Sequence, residues 1–257
     1  MATVICVTNQ KGGIGKTTTA TTIASILQER GNKVLLIDTD VQCNSTDTYQ
    51  AVFEGVPTLY DVILEEDKTD IMEAIQHTPM GDIVAADPLL REGDSKLSTQ
   101  GIKGYKVLKD ALKGLKDYDY VVFDTAPAIS MILRAALVAA DYLVIPITAD
   151  RYGIQGLYEL NVSINDAKEL NPNLKIGGIL LVRYNERTIL ARDVRGALET
   201  VAEEMGTKIY QNTIRECNKV KEAQTVRSTL IKYDKHCTAA RDYDYFVDEM
   251  LEEVENG

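Results

Sequence analysis

Apolar runs alternate with helix-period patterns along most of the chain. Thr3–Thr8 reads as a short buried strand, and Lys16–Arg30 as a helix stopped by Gly31. Lys33–Ile37 (KVLLI) is the nearly continuous apolar run expected of a parallel strand covered on both faces. Ile83–Ala86 gives a weaker strand signal, and Tyr120–Phe123, Tyr142–Ile147 and Ile176–Val182 extend the series. Helical patterns fall between them at Tyr105–Leu115, Ile129–Ala139, Ile154–Leu170 and Ala191–Met205. This alternation predicts an α/β fold, a doubly wound, mostly parallel sheet flanked by helices with right-handed crossovers. Arg91–Gly104 (REGDSKLSTQGIKG) is polar and contains glycine, so a loop is expected there. A chain of 257 residues suits one large domain, and no tandem repeat interrupts it.

Composition narrows the function classes. No apolar run reaches the roughly 20 residues of a membrane span. The start, Met1–Thr8, has neither the basic residues nor the cleavage site of a signal peptide. Cys6, Cys43, Cys217 and Cys237 stand apart in sequence, and His77 and His236 are isolated. A reduced, cytoplasmic protein without a zinc site is the expectation. The net charge of −11 argues against a protein that coats nucleic acid along its whole surface. Residues 183–235 nevertheless hold 11 Lys and Arg against 8 Asp and Glu, so a locally basic face is open to the fold.

The densest chemistry lies between the first strand and the first helix, in Lys11-Gly12-Gly13-Ile14-Gly15-Lys16-Thr17-Thr18. Glycines let the backbone wrap an anion, and the loop N–H groups with the helix N-terminus bind phosphate. Lys16 is placed to reach β- and γ-phosphate oxygens, Thr17 to offer its hydroxyl to Mg²⁺, and Thr18 to add a phosphate contact. ATP and Mg²⁺ are therefore the expected ligands. Asp38 and Asp40 follow the second strand and share an orientation along an extended chain, at the strand ends where such sheets bind ligands. Asp124 ends the run Tyr120–Phe123 and can hold Mg²⁺ through its water shell.

Lys11 stands where the usual phosphate loop has no lysine, and Gln10 where it has its first glycine. This K-G-G-x-G-K-T box resembles the deviant phosphate loop of the ParA/MinD family of ATPases. The resemblance covers nearly the whole chain and extends to Thr213–Asp234. It implies that Lys11 reaches across a nucleotide-sandwich homodimer to the partner's phosphates. It also implies that Asp38 helps hold that lysine, that Asp40 positions the attacking water, and that Asn185 lies near the adenine. The family's D-x-D-P-Q-G-N and D-x-P-P patterns are departed from at Val41, Cys43 and Ala126. The chain begins directly at its first strand and so resembles the short, Soj-type ParA proteins, which lack an N-terminal helix-turn-helix region.

That likeness implies a slow ATPase used as a switch, with a ParB-like partner stimulating hydrolysis. Its ATP dimer would bind double-stranded DNA non-specifically, on the nucleoid. Arg187, Arg192, Arg195, Lys219, Lys221 and Arg227 are the candidate phosphate-backbone contacts. The alternative is a MinD-like or other cargo-positioning ATPase that does not bind DNA. The acidic stretch Arg241–Gly257 speaks against a membrane-targeting helix and for one packed on its own domain. An iron–sulfur redox protein lacks suitably placed cysteines. A bacterial tyrosine kinase does not fit Lys11 or the scattered tyrosines.

Overall fold

The computed structural model describes residues 2–64, 69–186 and 189–256. Its first half runs β1 (Thr3–Val7), α1 (Lys16–Glu29), β2 (Val34–Asp38), α2 (Asn44–Thr48), α3 (Leu59–Ile63), β3 (Ile75–Thr78), β4 (Gly81–Val84), α4 (Leu90–Ser98) and α5 (Ile102–Ala111). The second half runs β5 (Tyr120–Asp124), α6 (Met131–Ala139), β6 (Tyr142–Ile147), α7 (Arg151–Leu170), β7 (Lys175–Leu181), α8 (Ile189–Glu204), α9 (Asn218–Thr225), α10 (Leu230–Asp234) and α11 (Thr238–Asn256). Seven strands form one sheet in the order β3-β4-β2-β5-β1-β6-β7. All neighbours are parallel except the edge hairpin β3–β4.

The period-two alternation of strand side chains divides the core in two. Cys6, Leu35, Ile37, Val121 and Phe123 pack beneath α3 to α8, whereas Ile5, Val7, Leu36 and Val122 pack beneath α1, α10 and α11. Every residue of β2 is buried, which explains its uninterrupted apolar run. Burial of each such Leu or Ile contributes about 1.5–3 kcal/mol.

The acidic C-terminal stretch packs on its own sheet, as expected. Ala239, Ala240, Tyr243, Phe246, Val247 and Met250 repeat at helical spacing and are buried, and Phe246 meets Tyr210 edge-on at 4.9 Å. Among the described residues, no helix is long and apolar enough to cross a membrane.

The expected loop at Arg91–Gly104 is instead α4 and the start of α5. Leu90, Gly93 and Leu97 form the buried stripe of α4. A Cβ on Gly93 would lie 3.1 Å from Ile63, and one on Gly104 only 2.5 Å from the Leu97 carbonyl oxygen. The glycines that read as loop signals are points of close helix approach. The weak strand sits at Gly81–Val84 rather than Ile83–Ala86, and β3 pairs with it antiparallel. Polar Gln76, His77 and Thr78 gave β3 no apolar pattern to detect.

Candidate functional site

The C-terminal ends of the central parallel strands converge on one crevice. β1 hands the chain to the phosphate loop, and β2 and β5 end side by side with Asp38 and Asp124 in register. Gly13 (φ 71°) and Gly15 (φ 90°) adopt left-handed conformations with nothing near a notional Cβ, so dihedral freedom rather than space calls for glycine there. α1 begins at Lys16 with no side-chain cap on its first turn, leaving its N–H groups directed at the crevice.

Lys16 is buried, and its Nζ donates to the Lys11 carbonyl at 2.9 Å. Burial lowers its pKa, while Asp124 and Asp40 oppose that fall. Asp40 is also buried; its Oδ1 accepts from the Gln42 N–H at 3.0 Å, and it borders the open cleft.

Asp124 is fully buried. Its Oδ2 accepts from the Ser45 hydroxyl at 2.7 Å, while Oδ1 is buried without a hydrogen bond among the described residues. Burial raises the Asp124 pKa, and the Ser45 and Thr17 hydroxyls offset part of the rise. A hard divalent cation fits this donor set: one orphaned carboxylate oxygen with the Thr17 hydroxyl close by. Asp124 and Thr17 are therefore the residues able to hold Mg²⁺.

Asp38 and Lys11 are not paired in this nucleotide-free monomer. The Asp38 Oδ2 accepts from both the Thr46 N–H and hydroxyl at 2.8 Å, and its Oδ1 from the Asp40 N–H at 3.1 Å. Thr46 also accepts from Ala86 N–H, so Asp38 pins the loop after β2 to β4's end. Burial and the neighbouring Asp124 raise the Asp38 pKa. Lys11 pairs instead with Asp150, at 2.5 Å, beside Thr148 at 3.4 Å. Asp150 follows β6, far from any motif, and only its place after a central parallel strand could have flagged it. Burial opposes ionisation of Asp150, yet the Lys11 and Thr148 bonds hold its carboxyl below the usual range.

Asn185 lines a hollow of about 460 Å³ together with Lys11, Gly12, Gly13 and Asp150. The larger adjoining cleft, about 690 Å³, is walled by the phosphate loop, Asp40, Arg183 and the segment Ile214–Cys217 with Lys221 and Gln224 of α9. Asn185 is thus set beside Lys11 and not on the larger cleft, whose outer wall the motifs missed. The Gln224 amide donates to the Thr18 hydroxyl at 3.2 Å, joining α9 to the loop. Cys43, where the family pattern has glycine, takes a left-handed conformation (φ 55°), costing about 1 kcal/mol.

Among the basic candidates, Arg195 pairs with Glu199, Lys219 with Glu222, and Arg227 with Asp47. Lys221 borders the cleft. Arg187 lies outside the described residues, as does the side chain of Arg192.

A family model described as an AAA domain matches residues 2–176. The chain is 32% identical to the chromosome partitioning protein ParA of Caulobacter vibrioides, over 93% of this chain and 90% of that one. It is 32% identical to the sporulation initiation inhibitor protein Soj of Bacillus subtilis, over 95% and 96%. The chain belongs to the ParA/Soj family of partition ATPases. Among solved structures, it superposes on a Mycobacterium smegmatis protein described as cobyrinic acid a,c-diamide synthase, bound to an ATP analogue and magnesium. The TM-score is 0.83 at 27% identity, covering 100% of this chain and 97% of that one. The likeness extends over nearly the whole of both chains, so the two share one overall fold.

Proposed function

We propose that this chain is an ATP-dependent DNA-partition switch. Its ATP-bound homodimer binds double-stranded DNA without sequence preference, and hydrolysis releases it. The observation that carries this reading is the arrangement at adjoining strand ends: Lys16, Asp40 and Asp124 buried around the phosphate loop, with half-buried Lys11 at its open edge.

ATP phosphates would take the N–H groups of Gly12 to Thr18 and the Lys16 ammonium. Thr17 and Asp124 would hold Mg²⁺, which would supply charge neutralisation for the bound phosphates. Asp40 orients the attacking water from its buried position beside the cleft. Lys11 exchanges its Asp150 partner for the phosphates of a second subunit, so the dimer closes only around nucleotide. Turnover is slow unless a ParB-like partner stimulates it, which gives the switch its lifetime. The protein acts in the cytoplasm, on the nucleoid.

A specific observation keeps a second reading in play. Arg195, Lys219 and Arg227 are each tied to a local acid, which favours an ATP-gated dimer that positions a cargo without DNA. Binding to a random-sequence duplex, measured with ATP, ADP and no nucleotide at two salt concentrations, separates the two. ATP-dependent, salt-sensitive binding that Lys11→Ala loses and Asp40→Ala retains supports the DNA switch. Absence of binding at both salts, with ATP-dependent dimerisation intact, leaves the cargo-positioning reading.

A further inference from the structure

The four cysteines divide into two kinds. Cys6 is fully buried in β1, where burial and Asp124 drive its thiol far up. Cys43 is pushed up to about 12 by burial and by Asp38, Asp87 and Asp40. Neither is chemically available. Cys217 and Cys237 are 20 positions apart in sequence, yet both pack on the same margin of the core beneath α11. Both are partly exposed, and Cys217 is near enough to Cys237 to help raise its thiol pKa.

The surrounding contacts fix this meeting. Ile214 N–H donates to the Leu181 carbonyl at 2.8 Å, extending the strand end. Arg215 clamps Asp242 of α11 through its backbone N–H, Nε and Nη2, at 3.0, 2.9 and 2.6 Å. Two residues on, Cys217 is in an extended conformation, on the segment that this clamp ties to α11. Cys237 directly precedes α11, and its Sγ accepts from the Ala240 N–H at 3.4 Å. Cys217 also lines the 690 Å³ cleft, which gives a small reagent a path to its sulfur.

We propose that Cys217 and Cys237 are a redox-modification site, a dithiol that closes to an intramolecular disulfide. The oxidant is a low-molecular-weight disulfide. The Cys217 thiolate attacks one of its sulfurs, forming a mixed disulfide and expelling one small thiolate. Cys237 then gives up its proton and attacks the Cys217 sulfur, expelling the second. Two protein thiols and one small disulfide become one protein disulfide and two small thiols, a two-electron exchange. Burial, with Cys217, pushes the Cys237 thiol up, and the Ala240 N–H at the head of α11 offsets only part of that rise. Cys217, on the open cleft, is therefore the entry point and Cys237 the resolving thiol. The product staples the wall ahead of α9 to α11.

The test uses the whole protein without nucleotide, so its result is independent of the proposed ATP chemistry. Wild type, Cys217→Ser and Cys237→Ser are incubated with oxidised glutathione, then counted for free thiols and mapped by peptide mass spectrometry. The expected result is loss of two of the four thiols in wild type, with one peptide cross-link joining 217 to 237 and reversal by dithiothreitol. Cys237→Ser is expected to stop at a glutathione adduct on Cys217, with no cross-link. Four free thiols in wild type, separate stable adducts on the two cysteines, or a cross-link between molecules would overturn the proposal.

Discussion

The crevice above β1, β2 and β5 and the basic stretch from α8 to α10 are built on opposite principles. In the crevice, Asp38, Lys16 and Asp40 are buried and answered by backbone. Asp38 takes the Thr46 and Asp40 N–H groups, Lys16 a loop carbonyl, and Asp40 the Gln42 N–H. In the basic stretch, Arg195, Lys219 and Arg227 are answered by single exposed acids, contacts worth about 0–1 kcal/mol each. Buried groups must be placed by the fold and so leave a fixed trace in sequence. Exposed ones are interchangeable and leave none.

The largest effect expected is at the crevice. Lys16→Ala should weaken Mg-ATP binding about 100-fold by calorimetry, the loss of a charge-assisted contact worth about 3 kcal/mol. Retained affinity would mean that the buried lysine serves only the fold. Gly104→Ala tests the helical reinterpretation of Arg91–Gly104. A Cβ would press 2.5 Å from a backbone oxygen that cannot swing aside, so denaturant unfolding should show a loss of about 1–3 kcal/mol. A gain, as for an ordinary helix glycine, would contradict that packing.

Asp124→Asn should stabilise the nucleotide-free protein by about 1–2 kcal/mol at pH 8 while abolishing magnesium-dependent stabilisation by ATP. The sign follows from the raised folded pKa. The native state keeps this proton longer than the unfolded chain, so wild type loses stability as pH rises from the ordinary carboxylate range through the raised folded value. Thermal melts of the two proteins should converge at low pH and separate above it.

Asp150→Asn gives the smallest effect, below about 1 kcal/mol, because both partners are about one-third exposed. The Asp150 carboxyl is held low, so its contribution is full above the usual range. It disappears as pH falls through the lowered folded value. The pH dependence of urea midpoints checks this.

The parallel sheet was legible because KVLLI and its counterparts must be apolar on both faces. The phosphate loop was legible because glycine dihedrals and the lysine are demanded together. Asp124 was readable at the end of its strand for the same reason. Asp150 was not, because the requirement it meets, a carboxylate beside Lys11, is spatial and crosses 139 positions. Ser45 and Thr46 were missed likewise, being hydroxyls whose partners Asp124 and Asp38 come from the fold. α4 was hidden by the glycine that lets it approach α3.

ATP-gated closure through Lys11 is the central claim, and static light scattering tests it most directly. Asp40→Ala, alone and combined with Lys11→Ala, is measured with Mg-ATP and with Mg-ADP. Doubling of the mass in ATP but not ADP for Asp40→Ala, with the double variant remaining a monomer, is the predicted result. A double variant that dimerises equally well, or a mass indifferent to nucleotide, would contradict the account.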